Sequence, residues 1–262
     1  MNQLFDIACN FTHESFNKDL DDVFSTASEA GVNKFLVVSA ELNDQVSINK
    51  IVRKNNNCYF TTGVHPHHAK TFNKNSISTM RDLIVKNNPH AIGEMGLDFF
   101  RNISSYDEQI YAFEEQIKLA IEFNKPLFLH QRDSHESFIK LINKYSNDIN
   151  KAVVHCFTGT QNQLEDYLNN DFYIGLTGWI CDERRNKDLR ASIKNIPLNR
   201  LMIETDSPYL IPRNLSPKPK NNRNEPKNLK HIAQEIADLR EESLETICKS
   251  TFENSINFFN RT

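Results

Sequence analysis

Short apolar runs alternate along the chain with longer stretches in which apolar side chains recur at helical spacing. Runs of this kind are typical of strands buried in a parallel sheet. They predict eight strands, at 4–8, 34–38, 59–64, 91–93, 126–129, 152–154, 172–176 and 201–203. The longer stretches predict helices at 21–30, 43–54, 76–86, 107–123, 134–145, 161–169, 184–194, 227–240 and 242–259.

This alternation predicts the fold class. Eight strand-then-helix units within 262 residues favour an α/β fold, the (β/α)8 TIM-like barrel. We expect a single domain over residues 1–262, because no linker or low-complexity segment interrupts the alternation. The proline-rich stretch 208–226 is expected to form a long loop after the eighth strand.

Four predicted strands are followed by side chains that bind metals well, namely Glu94, His130, His155 and Asp206. A half-buried polar group needs a partner, and active sites of (β/α)8 barrels lie at the carboxyl ends of the strands. Two carboxylates and two imidazoles suit Mg²⁺, Mn²⁺ or Zn²⁺. The pattern therefore predicts a metal site and hydrolysis at this rim.

Composition narrows the class of protein. Hydrophobic residues make up 39% and charged residues 25% of the chain, as in soluble globular proteins. The net charge of -3 does not indicate a nucleic-acid binder, and the 7 glycines argue against a glycine-rich nucleotide loop. The 5 cysteines form no CxxC pair, and no stretch approaches a membrane span. We therefore expect a cytoplasmic protein that does not enter a membrane.

Four ordered motifs stand out along the chain. They are Gly63-Val64-His65-Pro66-His67, Ile92-Gly93-Glu94-Met95-Gly96-Leu97-Asp98, His155-Cys156-Phe157-Thr158-Gly159 and Glu204-Thr205-Asp206-Ser207-Pro208-Tyr209-Leu210. Together they resemble those of one known family, the TatD family of metal-dependent deoxyribonucleases. The resemblance runs nearly end to end, from Phe5-Asp6 to the segment 223–226. The stretch 175–185 is similar to the TatD branch itself and less so to its wider relatives.

The resemblance implies a TIM-like barrel, a divalent metal and 3′-to-5′ exonuclease activity that favours single-stranded DNA. RNA stays open as a substrate at this point. It also implies a link to repair of oxidative DNA damage. Under it, Glu94, His130 and His155 correspond to metal ligands, and Asp206 to the carboxylate that binds metal or activates water. Most relatives carry a His-x-His pair after the first strand, where we align Asn10-Phe11-Thr12.

The missing histidine pair affects the choice of metal. His13 is one residue out of step, and we expect that it is not a ligand, because side chains alternate faces along a strand. Without two imidazoles, one of two metal positions is expected to be weak or to need substrate phosphate. This favours Mg²⁺, which keeps waters and accepts phosphate oxygens, over Mn²⁺ or Zn²⁺.

Three residues are expected to act in catalysis. We expect Glu94 to bridge two metal positions and Asp206 to orient the attacking water. The alternative for Asp206 is a capping role in the turn before Ser207-Pro208. His65, which Pro66 holds extended, is expected to donate to the scissile phosphate or to the leaving 3′ oxygen.

Substrate contacts are expected from rim loops. We expect His67, Arg101, Arg132, Trp179 and Arg223 to bind the nucleic acid. Further basic and aromatic candidates in those loops are Arg184, Arg185, Arg213, Lys218, Lys220, Phe99, Phe100 and Tyr209. Asp133 is expected either to orient His130 or to cap the helix that opens at Ser134. His68, His90 and His135 are expected to lie at the surface.

Two other functions stay open at this point. One is hydrolysis of another ester, such as D-aminoacyl-tRNA, by the same metal chemistry. The other is a non-catalytic barrel that binds nucleic acid, for which the missing histidine pair is the only support. We expect a monomer, because no predicted helix face is conspicuously apolar.

Overall fold

The structure is a computed structural model that describes residues 3–184, 186–219 and 222–260. Eight strands follow one another in the chain. They are β1 Leu4–Cys9, β2 Val32–Val37, β3 Cys58–Thr62, β4 Ala91–Asp98, β5 Leu127–Arg132, β6 Ala152–Val154, β7 Tyr173–Leu176 and β8 Leu201–Ile203. They form one sheet in the order β1 to β8, and the described pairs are parallel. The fold is the predicted (β/α)8 barrel.

Helices separate the strands, as predicted. They are α1 Leu20–Glu29, α2 Gln45–Lys54, α3 Lys74–Asn87, α4 Tyr106–Glu122, α5 His135–Tyr145, α6 Gln161–Asn169, α7 Lys187–Ser192, α8 Leu229–Arg240 and α9 Leu244–Phe259. Ser105 caps α4, and Glu108 completes a capping box with it. In the described part of the chain, no helix is both long and apolar enough to cross a membrane.

The chain divides into two compact units, each with its own core. One contains β1, β2, β7, β8, α1, α7, α8 and nearly all of α9. Its buried side chains include Phe5 and Phe35. The other contains β3 to β6 and α2 to α5, and in it the rings of Phe113 and Phe138 stack with centroids 5.2 Å apart.

Strand β4 is longer than predicted, and this changes the setting of Glu94. The sequence predicted a strand that stops at Gly93, but β4 runs on to Asp98 with every residue buried. It continues because Met95, Leu97 and Asp98 stay paired with Leu129, Gln131 and Arg132 of β5. Glu94 and His130 therefore project from within two paired strands, whose backbones hold them more firmly than a loop would.

Candidate metal centre

Three imidazoles surround one carboxylate oxygen. Oε1 of Glu94 lies 2.7 Å from Nε2 of His155, 2.9 Å from Nδ1 of His130 and 3.2 Å from Nε2 of His65. One ligand atom each from His65, Glu94 and His130 lies within 4.8 Å of the other two. Nitrogen and carboxylate donors that converge in this way fit a divalent cation.

Pairing of β4 with β5 brings Glu94 and His130 together. Gly96 pairs with His130 across this ladder. Its φ of +147° suits glycine, and a Cβ built there would lie 1.9 Å from the carbonyl oxygen of His130. Gly96 is therefore required where β4 passes close to the backbone of a candidate ligand.

His155 follows β6, and its ring is almost fully enclosed. Its backbone N–H donates to the carbonyl of Leu129 at 2.9 Å, which continues the β5–β6 ladder. The ring of Phe128 stacks on it with centroids 4.9 Å apart. These contacts fix the direction in which Nε2 of His155 points, toward Glu94.

His65 is oriented by the turn that it begins. Its Nδ1 accepts the backbone N–H of His67 at 3.1 Å. The proton of the neutral ring therefore lies on Nε2, which donates toward Glu94. Burial lowers the pKa of His65 to about 4 against the opposing attraction of Glu94, so the ring is neutral near pH 7. In this tautomer His65 is a hydrogen-bond donor to the centre.

The centre stabilises the ionised form of Glu94. Burial opposes ionisation, but the charges and hydrogen bonds of His155, His65 and His130 outweigh it and hold the pKa of Glu94 well below its usual range. Burial also opposes a charge on His130, yet the Asp98 and Glu94 carboxylates raise its pKa. The side chain of Glu94 is therefore an ionised carboxylate, the form that binds a cation.

Asp98 is a member of the centre that sequence reasoning missed. Its side chain is fully buried, and Oδ2 lies 2.8 Å from Nε2 of His67 and 3.6 Å from Nε2 of His130. Oδ1 accepts the backbone N–H of Arg101 at 2.9 Å. The alternation of side chains along a strand could have identified Asp98, because residues 94, 96 and 98 lie on the same face of a strand.

Asp206 follows β8 in the other unit, with a φ of +54°. Its Oδ1 accepts a hydrogen bond from Nδ2 of Asn10 at 3.0 Å, and the backbone N–H of Asn10 donates to the carbonyl of Ser207 at 2.8 Å. No helix begins at 207–210. The backbone carbonyl of Asp206 accepts the N–H of Tyr209 at 2.9 Å, so a turn begins there, and both roles expected for Asp206 stay predictions.

The contact with Asn10 also refines the alignment of the missing histidine pair. Asn10 directly follows β1 and contacts Asp206, whereas Thr12 lies in the turn beyond it. Side chains two apart on a strand share a face, so the partner position of Asn10 is Ala8 and not Thr12. Neither Ala8 nor Asn10 offers an imidazole.

Two further buried acids contact backbone near the ends of β6 and β8, and sequence reasoning gave neither a role. Asp6 Oδ1 accepts the backbone N–H of Thr205 at 2.9 Å, and its Oδ2 lies 2.5 Å from the Thr205 hydroxyl. Glu204 accepts the backbone N–H of Cys156. Both acids are fully buried. Asp6 thereby fixes the backbone after β8 at Thr205, and Glu204 fixes the backbone after β6 at Cys156.

Comparison with known sequences decides the family. The family model described as "TatD related DNase" matches residues 5–260. The chain belongs to the TatD family. The "3'-5' ssDNA/RNA exonuclease TatD" of Shigella flexneri serotype 5b is 43% identical over 251 residues, which is 96% of each chain. The protein of the same name from Escherichia coli K12 is 42% identical over 251 residues, again 96% of each.

Solved structures show the same fold. A TatD homologue from Escherichia coli K12, YJJV, superposes with a TM-score of 0.91 at 25% identity, covering 100% of this chain and 99% of that one. A TatD-family hydrolase from Entamoeba histolytica gives a TM-score of 0.90 at 28% identity, with coverage of 100% and 99%. The resemblance inferred from the motifs is confirmed.

The five predicted substrate contacts of this TatD-family chain have different surroundings. His67 is held by Asp98, and Arg101 is half exposed with a terminal nitrogen 3.7 Å from the same acid. Arg132 lies over the ring of Phe100, and Trp179 is half-buried in the turn after β7. The Arg223 guanidinium is nearly buried.

The partners of Arg223 give it a structural role. The guanidinium donates to both oxygens of Asp19, at 2.8 and 2.7 Å, and to Glu225 at 2.7 Å. It thereby ties the long loop after β8 to the start of α1. Among the other basic candidates, Arg184 pairs with Asp182 at 2.9 Å, and Lys218 is exposed. Arg185 and Lys220 lie outside the described residues.

Two histidines expected at the surface are in fact packed. His135 lies 3.0 Å from the Tyr167 hydroxyl and 2.8 Å from Asp166, because α5 and α6 pack side by side. His90 contacts the ring of Tyr59 with centroids 4.5 Å apart. His68 is partly exposed beside Glu41, as predicted.

The structure also describes the surroundings of His13 and Asp133. His13 accepts the backbone N–H of Ser15 and caps the turn Glu14–Phe16. Asp133 is exposed with a φ of +50°, and the hydroxyl of Ser134, the N-cap residue of α5, donates to the Leu97 carbonyl at 3.0 Å and does not cap the helix. Asp133 therefore makes neither of the two contacts considered for it among the described hydrogen bonds.

Proposed function

We propose that the chain is a metal-dependent 3′-to-5′ exonuclease that acts on single-stranded DNA or RNA. The observation that carries the proposal is the convergence of His65, His130 and His155 on Oε1 of Glu94. Relatives that are 42–43% identical over 96% of the chain are named for this activity, which supports the substrate class.

The proposed ligands are Glu94, His130 and His155, joined by Asp206 from the end of β8. We propose Mg²⁺, because phosphate oxygens and water can complete a ligand set that lacks the histidines of the first strand. When bound, the cation polarises a phosphoryl oxygen and lowers the pKa of water. The low pKa of Glu94 supports the proposal, since the carboxylate stays ionised across the physiological range.

The remaining side chains are proposed to bind the substrate and to transfer protons during hydrolysis. Asp206, held by Asn10, accepts a proton from the attacking water. His65 presents an N–H at Nε2 and is proposed to donate to the scissile phosphate or the leaving 3′ oxygen once the substrate displaces it from Glu94. His67, Arg101 and Arg132 are proposed to bind phosphates, and Trp179 to stack on a base.

We propose that Arg223 stabilises the long loop after β8 and does not contact the substrate, because its guanidinium already donates hydrogen bonds to carboxylate oxygens of Asp19 and Glu225.

We also propose that the chain is a single cytoplasmic domain and a monomer. The family match over residues 5–260 supports one domain. The five cysteines, which all lie in the described part of the chain, form no disulfide there, as in proteins of reducing compartments. A role in repair of oxidative DNA damage is proposed from the family resemblance alone. Sedimentation would test the monomer, and peroxide sensitivity of a deletion strain would test the repair role.

The central experiment separates metal binding from hydrolysis. The purified chain is expected to shorten 5′-labelled single-stranded DNA from the 3′ end in Mg²⁺, and EDTA is expected to stop it. Glu94→Gln is expected to abolish cleavage and to weaken Mn²⁺ binding by at least about 100-fold in calorimetry, because the central anion is lost. His65→Asn is expected to abolish most cleavage while Mn²⁺ affinity changes by less than about tenfold.

Two results would contradict the proposal. Unchanged cleavage by Glu94→Gln would remove Glu94 from the chemistry. Release of amino acid from aminoacyl-tRNA, with no cleavage of oligonucleotides by the same preparation, would make the chain a deacylase instead.

A further inference from the structure

An exposed aromatic ring and an arginine lie together just beyond the candidate metal centre. Phe100 is 60% exposed, although large apolar side chains are normally covered. The guanidinium carbon of Arg132 lies 4.2 Å from the centroid of its ring. We call this pair the Phe100–Arg132 ledge. The rings of Phe99 and Tyr106 pack beside it with centroids 4.9 Å apart.

The ledge is attached directly to the strands that carry the centre. Arg132 ends β5, two residues beyond His130, or about 7 Å along the strand. Phe100 follows Asp98 by two residues, and the backbone N–H of Phe99 donates to the Arg132 carbonyl at 3.0 Å. A ligand on the ledge would therefore lie about one nucleotide from the centre.

The chemistry of the ledge matches one nucleotide. One face of the Phe100 ring carries the guanidinium, and 60% exposure leaves ring surface open to a base. Among the described residues, no carboxylate lies within 4.0 Å of the charged nitrogens of Arg132, so they are available to a phosphate. Of the seven exposed large apolar side chains in the described part of the chain, three, Phe100, Ile103 and Tyr106, fall within seven consecutive residues here.

We propose that the Phe100–Arg132 ledge is a base-stacking subsite that holds one of the two nucleotides flanking the scissile phosphate. This inference rests on the proposed nuclease function and adds to it a residue that selects substrates bearing bases. Stacking on an aromatic side chain is tolerant of base identity. The subsite therefore favours single strands, whose bases are free to leave the duplex stack, without selecting a sequence.

The first test compares oligonucleotides with and without bases. Phe100→Ala is expected to raise KM for single-stranded DNA about tenfold with kcat within about twofold, because one stacked base is lost. Cleavage of an oligonucleotide built only from abasic tetrahydrofuran units is expected to be the same in wild type and variant. Phe100→Trp is expected to restore the wild-type KM. Val85→Ala, at an apolar side chain of α3 that is 69% exposed, is the matched control.

A second test locates the base. A single abasic unit at either of the two 3′-terminal positions is expected to raise the wild-type KM about tenfold and to have no further effect in Phe100→Ala. An abasic unit six nucleotides away is expected to be neutral in both. Arg132→Lys, which keeps the charge but loses the flat stacking surface, is expected to resemble Phe100→Ala in part.

A third measurement does not depend on turnover. In the Glu94→Gln background, an oligonucleotide with 2-aminopurine at its 3′ end or next to it is expected to lose fluorescence on binding, through stacking. The additional change Phe100→Ala is expected to abolish that loss. Wild-type protein that cleaves no oligonucleotide would refute the nuclease, whereas cleavage with an unchanged KM in Phe100→Ala would refute only the ledge. If sedimentation shows a dimer, and Phe100→Ala converts it to a monomer, the ledge is an interface between two copies of this chain, and the proposal is overturned.

Discussion

The buried carboxyl of Asp6 makes folding stability depend on pH. Asp6 is fully buried, and burial raises its pKa from 3.8 to about 7, while its hydrogen bonds to Thr205 and Ala8 only partly oppose the shift. In the folded chain it therefore stays protonated through the range in which the unfolded chain has already lost the proton. Replacing it with asparagine removes the titration and keeps the shape.

The size of the effect follows from the two pKa values. Below about pH 4 both states hold the proton, and Asp6 causes no pH dependence. Between 3.8 and about 7 only the folded state holds it, so stability falls by about 1.4 kcal/mol for each unit of rising pH. Above about pH 7 the loss levels off, after a total of about 4 kcal/mol.

The asparagine fits the same hydrogen bonds. Its Oδ1 can accept from the backbone N–H of Thr205, and its Nδ2 can donate to the Thr205 hydroxyl, which lies 2.5 Å from the oxygen it replaces. We therefore expect Asp6→Asn to match wild type near pH 4 and to be about 4 kcal/mol more stable near pH 8.

Urea unfolding by circular dichroism at intervals between about pH 4 and pH 8, in EDTA, measures this difference. The difference between variant and wild type cancels the titration of other groups. Asp148→Asn, at an exposed aspartate, controls for the loss of one negative charge. A difference for Asp6→Asn that stays within about 1 kcal/mol across the range would refute the inference that folding protonates Asp6.

Two further changes test the frame around the centre. Gly96→Ala is expected to destabilise the chain by about 2 kcal/mol or more and to weaken Mn²⁺ binding, because its Cβ would meet the His130 carbonyl. Calorimetry and urea unfolding measure the two effects, and wild-type values in both would contradict the close approach. Arg223→Leu is expected to cost about 2 kcal/mol by leaving Glu225 and Asp19 without this cation, with KM for DNA unchanged. A large rise in KM at wild-type stability would return Arg223 to the substrate contacts.

The strand and helix pattern was largely readable from the sequence. Strands β6 and β8 and helix α6 have the predicted bounds, because their apolar runs stop at clear polar or turn residues. Strand β4 was predicted too short. The sequence placed Glu94 at the exit of this strand, because an acidic residue normally marks the end of a buried apolar run, but in the structure the strand stays buried through Glu94 to Asp98. Helix α7 was predicted too long, at 184–194 against Lys187–Ser192.

The candidate ligands were predictable for a related reason. Glu94, His130 and His155 each interrupt or end an apolar run, and the order of strands in a barrel brings those positions to one rim. The partners of each ligand were not predictable. That Asp98 would bind His67, and that His67 would set the tautomer of His65, depends on strand register and on a turn three residues long.

The same limit explains why the ledge emerged only from the structure. The sequence placed Trp179 first for base stacking and offered Phe99, Phe100 and Tyr209 only as further candidates. Exposure separates the neighbours Phe99 and Phe100, because the ring of Phe99 packs on Tyr106 while that of Phe100 remains 60% exposed. Phe100 also has a cation at stacking distance, through the extension of β5 to Arg132. Strands β4 and β5, which both run past their predicted ends, therefore supply the buried acids of the centre and the surface beside it.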